Sequence, residues 1–93
     1  MAEEITIVCE FTVNNQYGIH ARPAALLVKA ASKFSADVLI GKKGFEVSAK
    51  SIMGLLTIEG HRGAVLSVQT IGKDAEEAMA EIEQLFENNF FED

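Results

Sequence analysis

The residues with the clearest chemistry in this 93-residue chain lie in one short run, Gly18-Ile19-His20-Ala21-Arg22-Pro23. A glycine offers a turn, a histidine follows it, and an arginine stands two positions further on. An imidazole lone pair can attack a phosphoryl group, and a guanidinium can fork onto phosphate oxygens. If His20 opens a helix, the unpaired N–H groups of the first turn and the positive end of the helix dipole also favour an incoming anion. Each part alone is common, and a lone histidine ahead of a helix is as readily an ordinary surface residue. In this order the parts describe an anion site with a nucleophile in it. His20 and Arg22 are the candidate catalytic pair, and the phosphate-binding groups are the Arg22 side chain and the backbone N–H groups of Ala21 and Arg22. A loose, in-line phosphoryl transfer asks mainly for position and for charge compensation at the equatorial oxygens, which these groups can supply. A cation in the first helical turn also sits against the dipole, which is weak support for an anion visiting Arg22.

The flanking pattern shows which elements must hold this run. Residues 5–13 alternate, with Ile5, Ile7, Cys9, Phe11 and Val13 on one face, which predicts a half-buried strand. Asn14, Asn15 and Gln16 break the pattern, and Gly18 frees the backbone for a turn. Ala24, Leu27, Val28, Ala31 and Phe34 then recur at helical spacing, which predicts an amphipathic helix over 21–34. His20 falls near its N-cap, and Pro23 fits the first turn, where the N–H it lacks would have no intrahelical partner. A hairpin follows, with strands over 36–41 and 45–49 joined by Lys42-Lys43-Gly44; Val38, Ile40, Phe45, Val47 and Ala49 are its inward residues.

Ser51 is a natural N-cap for a short helix over 52–58 that Gly54 weakens, so that helix depends on packing. Leu55 and Ile58 face inward, whereas Ile52, Met53 and Leu56 share a second face. After the loop over 59–63, a fourth strand over 64–71 buries Leu66 and Val68. Asp74 and Glu77 form a capping-box-like pair ahead of Ala75, Ala78, Met79, Ile82, Leu85 and Phe86, the inward stripe of a long helix. Residues 88–93 are expected to be a frayed acidic tail. The order β-α-β-β-α-β-α predicts an α+β fold, with an antiparallel sheet covered by helices on one face and open to water on the other.

Composition narrows the function. One domain over 1–93 is expected from the length. Eight basic against 14 acidic residues give a net charge of −6, with the basic residues scattered, which argues against nucleic acid and anionic membrane as partners. Cys9 is the only cysteine, so no internal disulfide and no Cys-rich metal cage can form. Cys9 is expected to be buried and inert, and His61 to be an exposed loop residue. No apolar run approaches the roughly 20 residues that span a bilayer, and the start is acidic, so the cytoplasm is the expected location. Neither a metal nor any other cofactor is called for.

These residues resemble the HPr-like phosphocarrier proteins of the bacterial phosphotransferase system. The likeness rests on Gly18-Ile19-His20-Ala21-Arg22-Pro23-Ala24, on Lys50-Ser51-Ile52-Met53-Gly54-Leu55, and on Gly63-Ala64 ahead of the fourth strand. It implies an open-faced β-sandwich, four antiparallel strands with three helices on one side. It also implies that His20 takes a phosphoryl group on Nδ1 from Enzyme I and passes it to an Enzyme IIA component, as a covalent carrier rather than an enzyme. Ala25 and Leu26 would form, with Ile52, Met53 and Leu56, an apolar patch where partners dock, and the carrier would act as a monomer. Ser51 has two readings: an ordinary N-cap, or the target of an HPr kinase/phosphorylase that the family implies. The chain departs from many members at Val47-Ser48-Ala49 and in the loop over 59–62. Its ending, from Leu85 onward, is similar to the nitrogen-regulatory branch, so the resemblance leaves sugar uptake and nitrogen regulation both open.

Three other functions compete with the carrier. A regulatory module whose docking depends on phosphorylation of His20 or Ser51 is compatible with it. A ferredoxin-like metal chaperone would need a Cys-x-x-Cys or clustered histidines, which the chain lacks. A hydrolase would need a base or orienting group near His20, and none is evident in the adjacent sequence.

Overall fold

A computed structural model describes residues 4–92. The elements run β1 (Thr6–Thr12), α1 (Ala21–Ala31), β2 (Asp37–Lys42), β3 (Phe45–Ser48), α2 (Ile52–Leu55), β4 (Val65–Ile71), α3 (Ala75–Glu87) and a 3-10 turn (Asn89–Phe91). The four strands form one antiparallel sheet in the order β1-β4-β2-β3. Its inward rows are read from the register: Ile7, Thr70 and Val38 lie side by side, and Cys9, Val68, Ile40 and Val47 form the next row. The helices cover this face, α3 packing on β1 and β4, α2 on β3, and α1 on both other helices. Burying these rows removes apolar surface worth about 25 cal/mol per Å² from water, which holds the layers together. Thr70 is polar on a buried row, and its hydroxyl is satisfied by donating to the Ala75 carbonyl at 2.9 Å.

The inward stripe expected for α3 is buried at all six positions. Elsewhere several expectations need correction. Ile5 precedes the sheet and is exposed, and Cys9 is half-buried, because β1 is an edge strand that α3 covers only in part. Phe45 shares the inward face with Val47 but is 83% exposed, since it starts the other edge strand beyond the reach of the four-residue α2. The first helix ends at Ala31 rather than Phe34: Lys33 and Phe34 donate to the carbonyls of Ala30 and Ala31, a tightened last turn, and the Lys50 ammonium donates to the Phe34 carbonyl at 2.9 Å. The second helix tightens in the same way, with the Thr57 N–H donating to Gly54.

Asp74 does occupy the N-cap of α3, but its side chain makes no capping bond. Its carboxylate accepts instead from the N–H groups of Ser35 and Ala36, at 3.0 and 2.8 Å, and so ties the α1–β2 turn to the start of α3. These backbone donors, Ser35 first, hold the Asp74 carboxyl below its ordinary value against the opposing effect of partial burial.

The largest correction concerns the segment after α3. Asn89, Phe90 and Phe91 adopt left-handed backbone at φ 51°, 54° and 58°, so residues 88–92 turn back over the protein; Asp93 lies outside the described residues. Left-handed backbone costs a non-glycine residue roughly 1–2 kcal/mol. Phe90 offsets much of this: it is 1% exposed, and its ring packs edge-on against Phe86 with centroids 5.0 Å apart. An aromatic pair of this kind adds about 1 kcal/mol beyond burial. Among the described residues, no helix is long and apolar enough to cross a membrane.

Candidate functional site

The turn that presents His20 is specified at Gly18, whose φ is +66°. A Cβ there would stand 2.2 Å from the Gly60 carbonyl oxygen, a contact no side chain can make. The same carbonyl accepts the Ile19 N–H at 2.8 Å, so the turn is fastened to the loop that follows α2. His20 comes next as the N-cap of α1, in extended backbone, and its carbonyl takes the first helical bond from the Ala24 N–H at 3.0 Å. Its ring does not cap the helix. The N–H groups of Ala21 and Arg22 therefore stand in a first turn where no intrahelical acceptor exists for them. The Arg22 side chain is exposed.

What the ring does instead was not visible in the sequence. His20 Nε2 lies 3.1 and 2.9 Å from the two carboxylate oxygens of Glu92, with the His20 side chain 39% exposed and that of Glu92 14%. An ionised carboxylate has no proton to donate, so Nε2 carries the hydrogen of this bond. Nδ1 makes no hydrogen bond among the described residues. Burial pushes the Glu92 carboxyl up, but the Asn15 amide, the His20 ring and the Arg22 guanidinium outweigh it and hold the group below its ordinary value. Asn15, itself buried, donates from Nδ2 both to Glu92 Oε1 at 3.0 Å and to the Gly18 carbonyl at 2.8 Å. Tyr17 stands edge-on to the His20 ring, centroids 6.1 Å apart, and with Gln16, Arg22, Phe91 and Glu92 it lines a shallow cavity.

Asn15 and Glu92 are thus the two site residues that sequence reasoning missed. Asn15 read only as a strand breaker, and Glu92 as one acid among several in a tail. The available signal was Phe90-Phe91, an apolar pair out of place in a solvated acidic segment.

The other candidates lie on α1 and α2, which pack together. Ile52, Met53 and Leu56 are 41%, 74% and 48% exposed, Ala25 is exposed and Leu26 half-buried, so the apolar face of α2 points to water. Ser51 is exposed and caps α2, accepting the Gly54 N–H at 3.1 Å. Gly54 packs close under it: an added Cβ would meet Val47 Cβ at 3.2 Å, so the glycine that weakens the helix also lets it approach β3. His61 is exposed, with its ring against the Glu59 carbonyl. Among the described residues, no group of three or more His, Cys, Asp or Glu is arranged to hold a metal ion.

A family model described as "PTS HPr component phosphorylation site" matches residues 7–88. The chain is 45% identical over 84 residues to the phosphocarrier protein HPr of Xylella fastidiosa strain Temecula1, covering 90% of this chain and 94% of that protein. Among solved structures it is similar to HPr-C-His from Thermoanaerobacter tengcongensis, with a TM-score of 0.83, 40% identity and 99% of each chain covered. It is also similar to an HPr dimer from that organism, with a TM-score of 0.72, 41% identity and 86% of this chain and 92% of that one covered. The open four-stranded antiparallel sheet with three helices is the fold it shares with these structures.

Proposed function

The chain belongs to the HPr family of phosphotransferase-system phosphocarriers, and from that premise we propose that His20 accepts a phosphoryl group from Enzyme I and passes it to an Enzyme IIA component. The observation that carries this reading is the placement of the His20 ring. Its Nε2 is occupied by a carboxylate and, among the described residues, its Nδ1 has no hydrogen-bond partner, at a helix start whose first N–H groups have no intrahelical acceptor. Nδ1 is the acceptor atom in this reading, and the Arg22 guanidinium with the Ala21 and Arg22 N–H groups compensates charge on the phosphoryl oxygens. An exposed site with one arginine holds the group loosely enough to release it again. The protein turns over no small molecule of its own; it works in the cytoplasm, as a monomer, with residues 1–93 forming one carrier domain.

A second reading, a regulatory module, is favoured by the exposed Ser51 cap beside the exposed Ile52, Met53 and Leu56. A phosphate on Ser51 would add charge at a helix N-terminus next to the surface on which partners dock. One variant separates the two. The wild-type chain incubated with Enzyme I and phosphoenolpyruvate gains one acid-labile phosphoryl group by intact mass, and His20→Ala gains none. An acid-stable product, or one that persists in His20→Ala, would sink the carrier mechanism. Regulatory contacts that survive His20→Ala unchanged would belong to the second reading alone.

A further inference from the structure

Glu92 is 72 positions from His20 in the chain, yet its carboxylate is the hydrogen-bond partner of the imidazole. We propose that Glu92 is a positioning residue of the carrier: it holds the Nε2–H of His20, keeps the Nδ1 lone pair free for phosphorus, and offsets the positive charge of the phosphorylated ring. This rests on the reading of His20 as the phosphoryl acceptor.

Three independent features converge on it. The carboxylate is ionised and can only accept, so a neutral ring bonded to it carries its proton on Nε2 and its lone pair on Nδ1. Without that partner the two tautomers compete, and part of the population presents a protonated Nδ1 that cannot attack. Second, Glu92 is not free to wander. Asn15 Nδ2 donates to both Glu92 Oε1 and the Gly18 carbonyl, so one buried amide fixes the carboxylate to the turn that carries His20. Third, the backbone leading to Glu92 holds three consecutive non-glycine residues in left-handed conformation, anchored by the buried Phe90. Such backbone persists only where its surroundings over-determine it, and here it delivers a carboxylate to the ring.

The chemical step balances. Nδ1 forms its bond to phosphorus as the bond from phosphorus to the donor breaks, and that bond's electron pair leaves with the donor atom. The proton stays on Nε2 throughout, and the ring, now cationic, faces Glu92. On discharge the Nδ1–P bond breaks, its electron pair returns to Nδ1, and the ring is neutral again with the same proton in place. Arg22 attracts Glu92 and, on phosphorylation, the phosphoryl oxygens, so the guanidinium and the cationic ring together face the carboxylate and the phosphoryl group.

The test uses the full chain with two variants. Imidazole ¹⁵N spectra of the wild type should show the Nε2–H tautomer, and Glu92→Ala should show a mixture of both. Glu92→Gln keeps the shape and removes the charge; with phosphorylated Enzyme I and phosphoenolpyruvate it should accept phosphoryl about tenfold more slowly than wild type at an unchanged melting temperature. A tautomer unaltered in Glu92→Ala, or a wild-type rate in Glu92→Gln, overturns the proposal. If wild type takes up no phosphoryl group at all, the carrier reading fails instead, and the tautomer measurement still decides whether Glu92 orients the ring.

Discussion

Gly18 shapes the turn that carries the histidine and fastens it to the loop after α2. Its φ of +66° and the 2.2 Å approach that a Cβ would make to the Gly60 oxygen are two separate demands for glycine. Alanine would meet left-handed strain and would push apart the backbone on which the Ile19–Gly60 bond depends. We expect Gly18→Ala to cost about 2–4 kcal/mol in urea denaturation, well beyond an ordinary surface change. It should also slow phosphoryl uptake, since the N-cap would shift; a variant of wild-type stability would refute this account of the turn. This much was legible, because glycine, histidine and arginine are neighbours in the chain. Glu92 was not, because no local pattern says which part of the molecule a distant carboxylate will meet.

Among the elements, those read most faithfully are the ones with a single apolar stripe. The stripe of α3, from Ala75 to Phe86, lies against the sheet as its spacing requires, because each of its inward residues has one place to go. Where the expectation failed, a polar or aromatic group had two possible partners. Asp74 could cap its own helix or bind the turn before β2, and two backbone donors of the turn outcompeted the cap. That choice has a pH signature. The Asp74 carboxyl is held below its ordinary value near 3.8, so the unfolded chain binds the proton more readily than the folded one. The stability it contributes is present above that value and is lost as pH falls through it and through the lower folded value. Asp74→Ala should therefore melt at a lower temperature than wild type at pH 7, with the gap closing as pH drops below about 4. A gap that stays constant across that range would mean the turn does not depend on the charge. The 88–92 segment failed for the opposite reason: its acidic composition suggested solvent, whereas one buried phenylalanine decides where it lies.

For the whole molecule, the arrangement that needs explaining is an apolar face left open on a chain of net charge −6. Ile52 and Met53 point to water from a helix only four residues long, as does Leu56 at its C-cap, and α1 flanks this face but does not cover it. A core-forming helix would hide them, and a patch this small is too little for a permanent interface. A carrier that must leave one partner before meeting the next needs such weak, adaptable contact, and the flexible thioether of Met53 can repack against differently shaped surfaces. Met53→Asp tests this at a site that carries no folding load. Because the side chain is 74% exposed, the melting temperature should change little, with stability within about 0.5 kcal/mol of wild type. If the patch is the shared dock, the concentration needed to half-saturate both charging by Enzyme I and discharge to an Enzyme IIA should rise several-fold. Unchanged transfer in both directions would leave the patch without a role in docking. A rise for one partner alone would confine it to that partner.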